Sequence, residues 1–296
     1  MHESVLLHET IDGLKLRDGD VVVDGTLGRA GHSIAALESG KNIFLIGIDE
    51  DEQALEESDM RLKSYAGKYR LFRGNFRDIK KFVDEAGRDG VDKVILDLGL
   101  SSPQLDSSGR GFSFRKDEPL MMTMRRDAGP EKLTARDIVN DWAEEDIANV
   151  IYAYGEERYA RRIAKAIIEA RIEHPIETTS ALAEIIENAV PASYRRGRIH
   201  PATRSFQALR IAVNDELGAL KVGLAEAGSV LRKGGRIAVI SFHSLEDRIA
   251  KQVFKEWEKE GIGSQMTKKP LIPTDSETEK NPRSRSAKLR IFIKKD

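Results

Sequence analysis

Three short stretches of this chain combine residue types that chemistry can use. The first is DGTLGRAGHS, from Asp24 to Ser33; the second is Asp49, the acid that closes the apolar run Ile43 to Ile48; the third is LDLGLSSPQLD, from Leu96 to Asp106. In the first, Gly25, Gly28 and Gly31 recur every third residue, which is not the GxGxxG spacing of dinucleotide sites. Glycines there let the backbone pass close beneath a ligand; a plain strand-to-helix turn is the competing reading. Asp49 follows Asp24 by about twenty-five residues, where nucleotide-binding α/β folds place an acid that accepts hydrogen bonds from ribose hydroxyls. A helix cap is the plainer use of such an acid.

The loop contents discriminate between ligands. A pyrophosphate calls for a helix N-terminus free of nearby carboxylates, and Asp24 adjoins this turn. S-adenosylmethionine carries no phosphate, and its cationic sulfonium is compatible with carboxylates such as Asp24 and Asp97 near the strand ends. Phe76, in Gly74-Asn75-Phe76, is placed to stack an adenine or to fill core space. If a methyl sulfonium lies over the strand ends, the exit loop Leu98 to Pro103 is where an acceptor is held, with Ser101, Ser102 and Pro103 as the candidate acceptor loop. An exocyclic amino group on a base is a poor nucleophile because its lone pair is conjugated into the ring. Small polar side chains and backbone carbonyls that hold its protons and aim it at the methyl can lower a barrier by roughly 7 to 11 kcal/mol at most. A bare strand exit with Pro103 as a stop is the alternative.

Elements able to position these residues are readable from periodicity. DVVV, Ile43 to Ile48, Tyr69 to Phe72 and Val94 to Leu98 are short apolar runs that suit a parallel sheet covered on both faces, with helices between them at Ser33 onward, Glu50 to Lys63 and Ile79 to Ala86. After Pro103 the rhythm breaks. Asp106 to Pro130 is long, charged and rich in Gly, Phe and Met, and Thr134 with Asp137 then opens a run of amphipathic helices. A long helix is expected from about Thr203 to Leu231, ending at Gly234-Gly235 and followed by a strand from Arg236 to Phe242. Ser244 is expected to cap the next helix with Asp247 at the box position, and KLRIFIKK reads as a final strand. The fold class predicted is therefore α/β: a Rossmann-like, mostly parallel sheet formed by residues 1–105 and 200–296, with an inserted, mainly helical substrate-recognition domain at 106–199.

Composition narrows the function classes. With Lys plus Arg at 48 and Asp plus Glu at 49, the net charge of -1 predicts no general attraction to nucleic acid or anionic lipid, so any polyanion contact must come from local patches. The absence of cysteine removes thiol nucleophiles and disulfides and fits a reducing, cytoplasmic setting. MHESVLLHETIDGL lacks a basic n-region and a long apolar core, so neither export nor membrane insertion is expected. Scattered histidines without HExxH spacing predict no metal site, and no GxSxG supports a hydrolase reading of Ser241, His243 and Ser244.

Longer stretches carry a resemblance that covers nearly the whole chain. SVLLHE, DGTLGRAGHS, GIDED, LDLGLSSPQLD with RGFSFRKD after it, YGEERYARRIAKAI, HPATRSFQALRIAVNDEL, GGRIAVISFHSLEDR and NPRSRSAKLR together resemble the bacterial ribosomal RNA small subunit methyltransferase H family (RsmH/MraW). The resemblance implies a class I S-adenosylmethionine-dependent methyltransferase that methylates cytosine N4 in the decoding region of 16S rRNA, within an assembled small ribosomal subunit. It also implies cofactor contacts at Ala30, Gly31, His32, Asp49, Phe76, Asp97 and Gln104. Two positions depart from the family pattern. Ala30 stands where a glycine is usual, a mild change if its φ is negative, and Met121 stands where an acid is usual, with Thr123 and Arg125 following.

Contacts to RNA are expected from three basic clusters: Arg195, Arg196 and Arg198; Arg110, Arg115 and Lys116 interleaved with Phe112 and Phe114; and Arg283, Arg285, Lys288 and Arg290. Solvated faces are the plain alternative. Monomer and homodimer both remain open, as do two other functions: an NAD(P)-dependent oxidoreductase on a Rossmann-like fold, and a non-catalytic ribosome-binding factor suggested by the acid lost at Met121.

Overall fold

Runs of Val, Ile and Leu too short for helices and too apolar for a half-exposed sheet form the centre of the structure, a computed structural model that describes residues 4–39, 42–101, 104–105, 108–126, 129 and 132–296. The chain divides into two compact units, Met1–Gly99 with Leu217–Asp296, and Leu100–Glu216. In the first unit β1 (Val21–Asp24) is buried along its whole length, and β2 (Phe44–Asp49), β3 (Tyr69–Arg73), β4 (Val91–Asp97) and β5 (Leu231–Ser241) join it in parallel. With β6 (Gly263–Gln265) and β7 (Lys288–Lys294) the sheet has seven strands in the order β3-β2-β1-β4-β5-β7-β6. β7 runs antiparallel to both of its neighbours. The expected mostly parallel sheet is therefore present, with KLRIFIKK as its antiparallel member.

Helices α1 (Leu7–Leu14), α2 (Gly31–Glu38), α3 (Glu52–Leu62), α4 (Ile79–Glu85), α11 (Glu216–Val230) and α12 (Ser244–Lys259) accompany this sheet, and α13 (Asp275–Lys280) lies late in the chain. Apolar side chains gather into two clusters: one around Val23, Ile48, Val94, Leu224 and Phe254, the other around Leu6, Val22, Leu45, Ile240 and Leu289. At the amino end of β1, Asp20 and Lys93 form an ion pair at 3.3 Å, with Lys93 only 3% exposed.

Several local expectations are corrected. The long helix is two helices, because Asp215 takes a left-handed φ of 48° between α10 (Ala202–Asn214) and α11. Gly234-Gly235 does not end a helix; it lies inside β5, where pairing jumps from Val91↔Leu231 to Lys93↔Arg236. A Cβ at Gly235 would come within 2.7 Å of the Arg232 carbonyl, so the irregular backbone there needs glycine. The cap of α12 is His243 rather than Ser244, with Glu246 rather than Asp247 at the box position. α1, β6 and α13 have no clear sequence signal.

The second unit contains α5 (Ala135–Asp141), α6 (Glu144–Gly155), α7 (Ala160–Glu173), α8 (Thr179–Ala189), the single turn α9 (Ala192–Arg195), and α10. Thr134 and Asp137 form the expected capping box. The core includes Ile138, Ile147, Ile151, Ile163, Ile167, Leu182 and Ile186. It also includes Ala202, Phe206, Leu209 and Val213, which is why the compact unit ends at Glu216 where the sequence suggests 199. Met122, at φ 54°, is fully buried in the same core, so the methionine-rich segment is packing material.

Removing one partner of the Asp20–Lys93 pair leaves a charge buried without compensation. Lys93→Ala is expected to destabilise the protein by about 3 to 5 kcal/mol. Lys93→Met combined with Asp20→Asn is expected to lose clearly less. Urea midpoints for the two variants decide it, and equal losses would remove the pair from the account.

Candidate functional site

Asp24, Asp49 and Asp97 are the last residues of β1, β2 and β4. β1 pairs with β2 on one side and β4 on the other, so chain order reverses between β1 and β4. In open parallel sheets, ligands bind outside the carboxyl ends at such a switch point. The glycine loop is attached to all three strands by its own backbone. Gly25 N–H donates to the Ile95 carbonyl at 2.9 Å, Leu27 N–H to the Ile48 carbonyl at 2.9 Å, and Gly28 N–H to Asp49 Oδ2 at 2.8 Å. The Thr26 hydroxyl accepts from Asp97 N–H at 2.6 Å, and Ser33 donates to Asp24 Oδ2 at 2.6 Å.

Ala30 has φ 56°, so the condition for a mild replacement of glycine is not met. Its left-handed backbone costs about 1 to 2 kcal/mol, partly offset by roughly 0.8 kcal/mol from burying the methyl. Gly31 has a different constraint: a Cβ there would sit 1.9 Å from Ser4 Oγ. The next residue, His32, is buried and its Nε2 lies 3.1 Å from the Val5 carbonyl. Burial lowers the His32 pKa to about 4, so the ring is neutral and its hydrogen sits on Nε2 for Val5. Nδ1 is then a bare acceptor, 3.7 Å from Asp97 Oδ2. The N-terminal stretch holding His32 is itself anchored, because Leu6 N–H donates to Glu277 Oε1 at 2.8 Å. No sequence signal connects Val5 or Glu277 to the glycine loop.

All three acids are held in costly surroundings. Burial raises Asp24 and Asp49 to about 6, against the hydrogen bonds from Ser33 and Thr26 and from the Asp51 and Gly28 amides respectively. Asp97 is raised well above the ordinary carboxylate range, first by burial and then by the charges of Asp24 and Glu246. Its Oδ1 is buried with no hydrogen-bond partner among the described residues. A carboxylate with one oxygen open and the other facing a histidine lone pair fits a cationic, hydrogen-donating ligand group. Phe76 is half-buried against α11, where a Cβ at Gly223 would lie 2.5 Å from its ring, so the ring has a core contact whatever else it touches.

The remaining candidates are dispersed. Ser101 and Gln104 belong to the helical unit and form a reciprocal turn: Ser101 N–H donates to Gln104 Oε1 at 2.9 Å, and Gln104 N–H to Ser101 Oγ at 3.4 Å. Ser102 and Pro103 lie outside the described residues. Among the basic clusters, Arg110 is buried and donates to the carbonyls of Thr123 and Met124, and Phe112 is core, so neither is available to RNA. Arg290 and Lys288 are held by Asp247, with Arg290 Nε at 2.6 Å, and are structural. Arg115, Lys116, Arg195, Arg196, Arg198, Arg283 and Arg285 are exposed.

A family model described as the MraW methylase family matches residues 1–295. The chain belongs to the MraW methylase family. Its relatives include proteins named ribosomal RNA small subunit methyltransferase H. The one from Brevibacillus brevis is 46% identical over 99% of this chain and 98% of its own length; that from Synechococcus elongatus is 50% identical over 98% and 93%. The protein is thus an enzyme, an S-adenosylmethionine-dependent methyltransferase of class I fold, and the oxidoreductase and non-catalytic readings fall away. Among the described residues, no helix is long and apolar enough to cross a membrane.

The raised carboxylates give the cofactor-free protein an unusual pH dependence. A folded-state pKa near 6 against about 3.8 unfolded means that Asp24 and Asp49 stabilise the fold fully only below about 3.8, and that this is lost as pH rises through 6. His32, lowered to about 4, acts in the opposite direction, but it is one group against Asp24, Asp49 and Asp97. Stability is expected to fall by roughly 1 to 3 kcal/mol from pH 5 to pH 7. Thermal melts without cofactor measure it, and Asp24→Asn should flatten the curve. A Tm that climbs steadily over that interval would contradict the assignment.

Proposed function

We propose that the protein transfers a methyl group from S-adenosylmethionine to N4 of a cytidine in the decoding region of small-subunit (16S) rRNA, within the assembled subunit, and that Ala30, Gly31, His32, Asp49, Phe76, Asp97 and Gln104 bind the cofactor. The observation that carries the site is the open oxygen of Asp97 at a strand end crossed by the glycine loop. The substrate is supported by the names of the relatives. When bound, S-adenosylmethionine supplies a methyl group activated by its sulfonium.

The chain's own residues divide the remaining work. Each Asp49 oxygen already accepts one backbone N–H and keeps a second lone pair for a ribose hydroxyl. Asp97 Oδ1 accepts from a ligand ammonium, and neutral His32 holds its acceptor nitrogen on the other side of that carboxylate. Ala30 and Gly31 would shape the floor of the site through the left-handed turn at Ala30, with Ser4 packed over Gly31, and Phe76 would lie beside the adenine. The cradle for the cytosine amino group is assigned to Ser101, Ser102 and Pro103, of which Ser101 exchanges hydrogen bonds with Gln104. Holding the amino protons turns the nitrogen toward the methyl, and this positioning is the loop's contribution to rate.

Small subunits lacking the modification, incubated with the protein and methyl-labelled cofactor, are expected to yield N4-methylcytidine in digests of their rRNA. Labelled product at another position, or none, would refute the proposal. Asp49→Ala is expected to weaken cofactor binding by about 1 to 3 kcal/mol, the scale of charge-assisted hydrogen bonds. Calorimetric titration with S-adenosylmethionine measures it, and unchanged affinity would take Asp49 out of the site.

A further inference from the structure

Glu157 is a fully buried carboxylate in the helical unit. It sits in the turn between α6 and α7, where Oε1 accepts from Tyr159 N–H at 2.9 Å and Oε2 accepts from the Tyr194 hydroxyl at 2.5 Å. Both oxygens are thus engaged inside the fold. The hydroxyl bond pins the Tyr194 ring against Tyr159, with centroids 4.9 Å apart and planes at 70°. Arg158, exposed, lies against this pair, its guanidinium carbon 4.8 Å from the Tyr159 centroid and 4.9 Å from that of Tyr194. Stacking on two rings keeps the charge of an arginine while restricting its rotamers, which presents a planar fork of N–H donors in a prepared orientation.

Positive charge continues from there. Arg204 donates to the Glu156 carbonyl at 2.9 Å, and its charge acts on the Tyr194 hydroxyl together with that of Arg158. Tyr194 leads directly into Arg195, Arg196, Gly197 and Arg198, all exposed. Arg195 turns back to the carbonyls of Val190 and Asn188. Among the described residues, Arg158, Arg196 and Arg198 have no carboxylate partner. In a chain whose net charge is -1, this excess of exposed arginines over the neighbouring acids Glu156 and buried Glu157 is a local feature and not a consequence of composition. Forked donors fit phosphate oxygens bidentately, and clustered cations concentrate a polyanion.

We infer that Arg158, held on the Tyr159–Tyr194 pair, together with Arg196, Arg198 and Arg204 forms a docking platform for the sugar-phosphate backbone of ribosomal RNA. This rests on the rRNA methylation reading above. The platform contributes affinity and orientation without base specificity, because phosphate contacts position a protein and leave sequence reading to other groups.

The test uses full-length protein and purified small subunits that lack the modification, with binding measured at several KCl concentrations. The triple variant R158A/R196A/R198A is expected to bind roughly tenfold or more weakly near 0.15 M salt, and to reduce the slope of log K against log salt by about 2, near 0.7 for each lost phosphate contact. Its affinity for S-adenosylmethionine should stay at the unsubstituted level, which also shows that the fold is intact. Arg158→Lys, which keeps the charge and loses the stacked fork, should fall between the two. A triple variant with unsubstituted affinity and salt slope overturns the platform while leaving the methylation reading standing. Failure of the unsubstituted protein to bind or methylate subunits overturns both. Anionic phospholipid vesicles that capture the protein as tightly as subunits do, and lose it in the triple variant, would assign the patch to a lipid surface and overturn the RNA assignment.

Discussion

Three aspartates drawn out of bulk water at adjacent strand ends, Asp24 nearly completely and Asp49 and Asp97 in part, are the constraint on which the carboxyl edge of the sheet depends. Burying an ionised carboxylate is tolerable only when donors replace the lost water, and here three of the four donors to Asp24 and Asp49 are main-chain N–H groups, two of them, Thr26 and Gly28, from the glycine loop. That requirement explains the loop's composition. Gly28 turns with φ 52° and donates to Asp49, Thr26 offers a hydroxyl to the Asp97 amide, and Ser33 at the start of α2 supports Asp24. At Gly28 the constraint is the left-handed backbone itself, since a Cβ there would meet nothing closer than the Thr26 carbonyl at 3.8 Å. Neither oxygen of Asp97 receives a hydrogen bond from the described residues, and its buried Oδ1 is where an arriving ligand can contribute most.

The same loop explains why distant segments matter. Gly31 has no room for a side chain because Ser4 occupies that space, and the next carbonyl along, that of Val5, sets the tautomer of His32. The N-terminal segment is held in turn by Glu277, far along the chain. A histidine with only backbone and solvent around it would titrate near neutrality. Enclosed here, it stays neutral and turns an acceptor toward Asp97.

Arginines show how far residue type alone falls short of function. Arg110 is buried and satisfies the carbonyls of Thr123 and Met124, Arg290 neutralises Asp247, and Arg158 lies exposed on two tyrosine rings. In sequence all three are basic residues near aromatic or polar neighbours. Their different fates follow from desolvation. An arginine with carbonyls or a carboxylate at its head can be buried, and one whose only partners are ring faces keeps its charge in water.

Much of the sheet was legible because continuous Val-Ile-Leu runs ending in an acid have few other uses: VVVD, FLIGID and VILD all became parallel strands with their acids at the carboxyl edge. The seam of α5, the KLRIFIKK strand and the family motifs were equally clear, since they depend on local capping, period-two alternation and long quoted matches. Other features depended on contacts remote in sequence. The left-handed backbone at Ala30 and Asp215, the capping role of His243, and the inclusion of α10 in the helical core could not be deduced from residues nearby. By itself the sequence determined which residues carry charge, which runs become strands and where the acids fall, because these follow from local propensity and periodicity. Only tertiary structure decided which acids lose their water, which histidine nitrogen faces them and which arginines stay exposed, because desolvation is set by neighbours that the chain brings together only on folding.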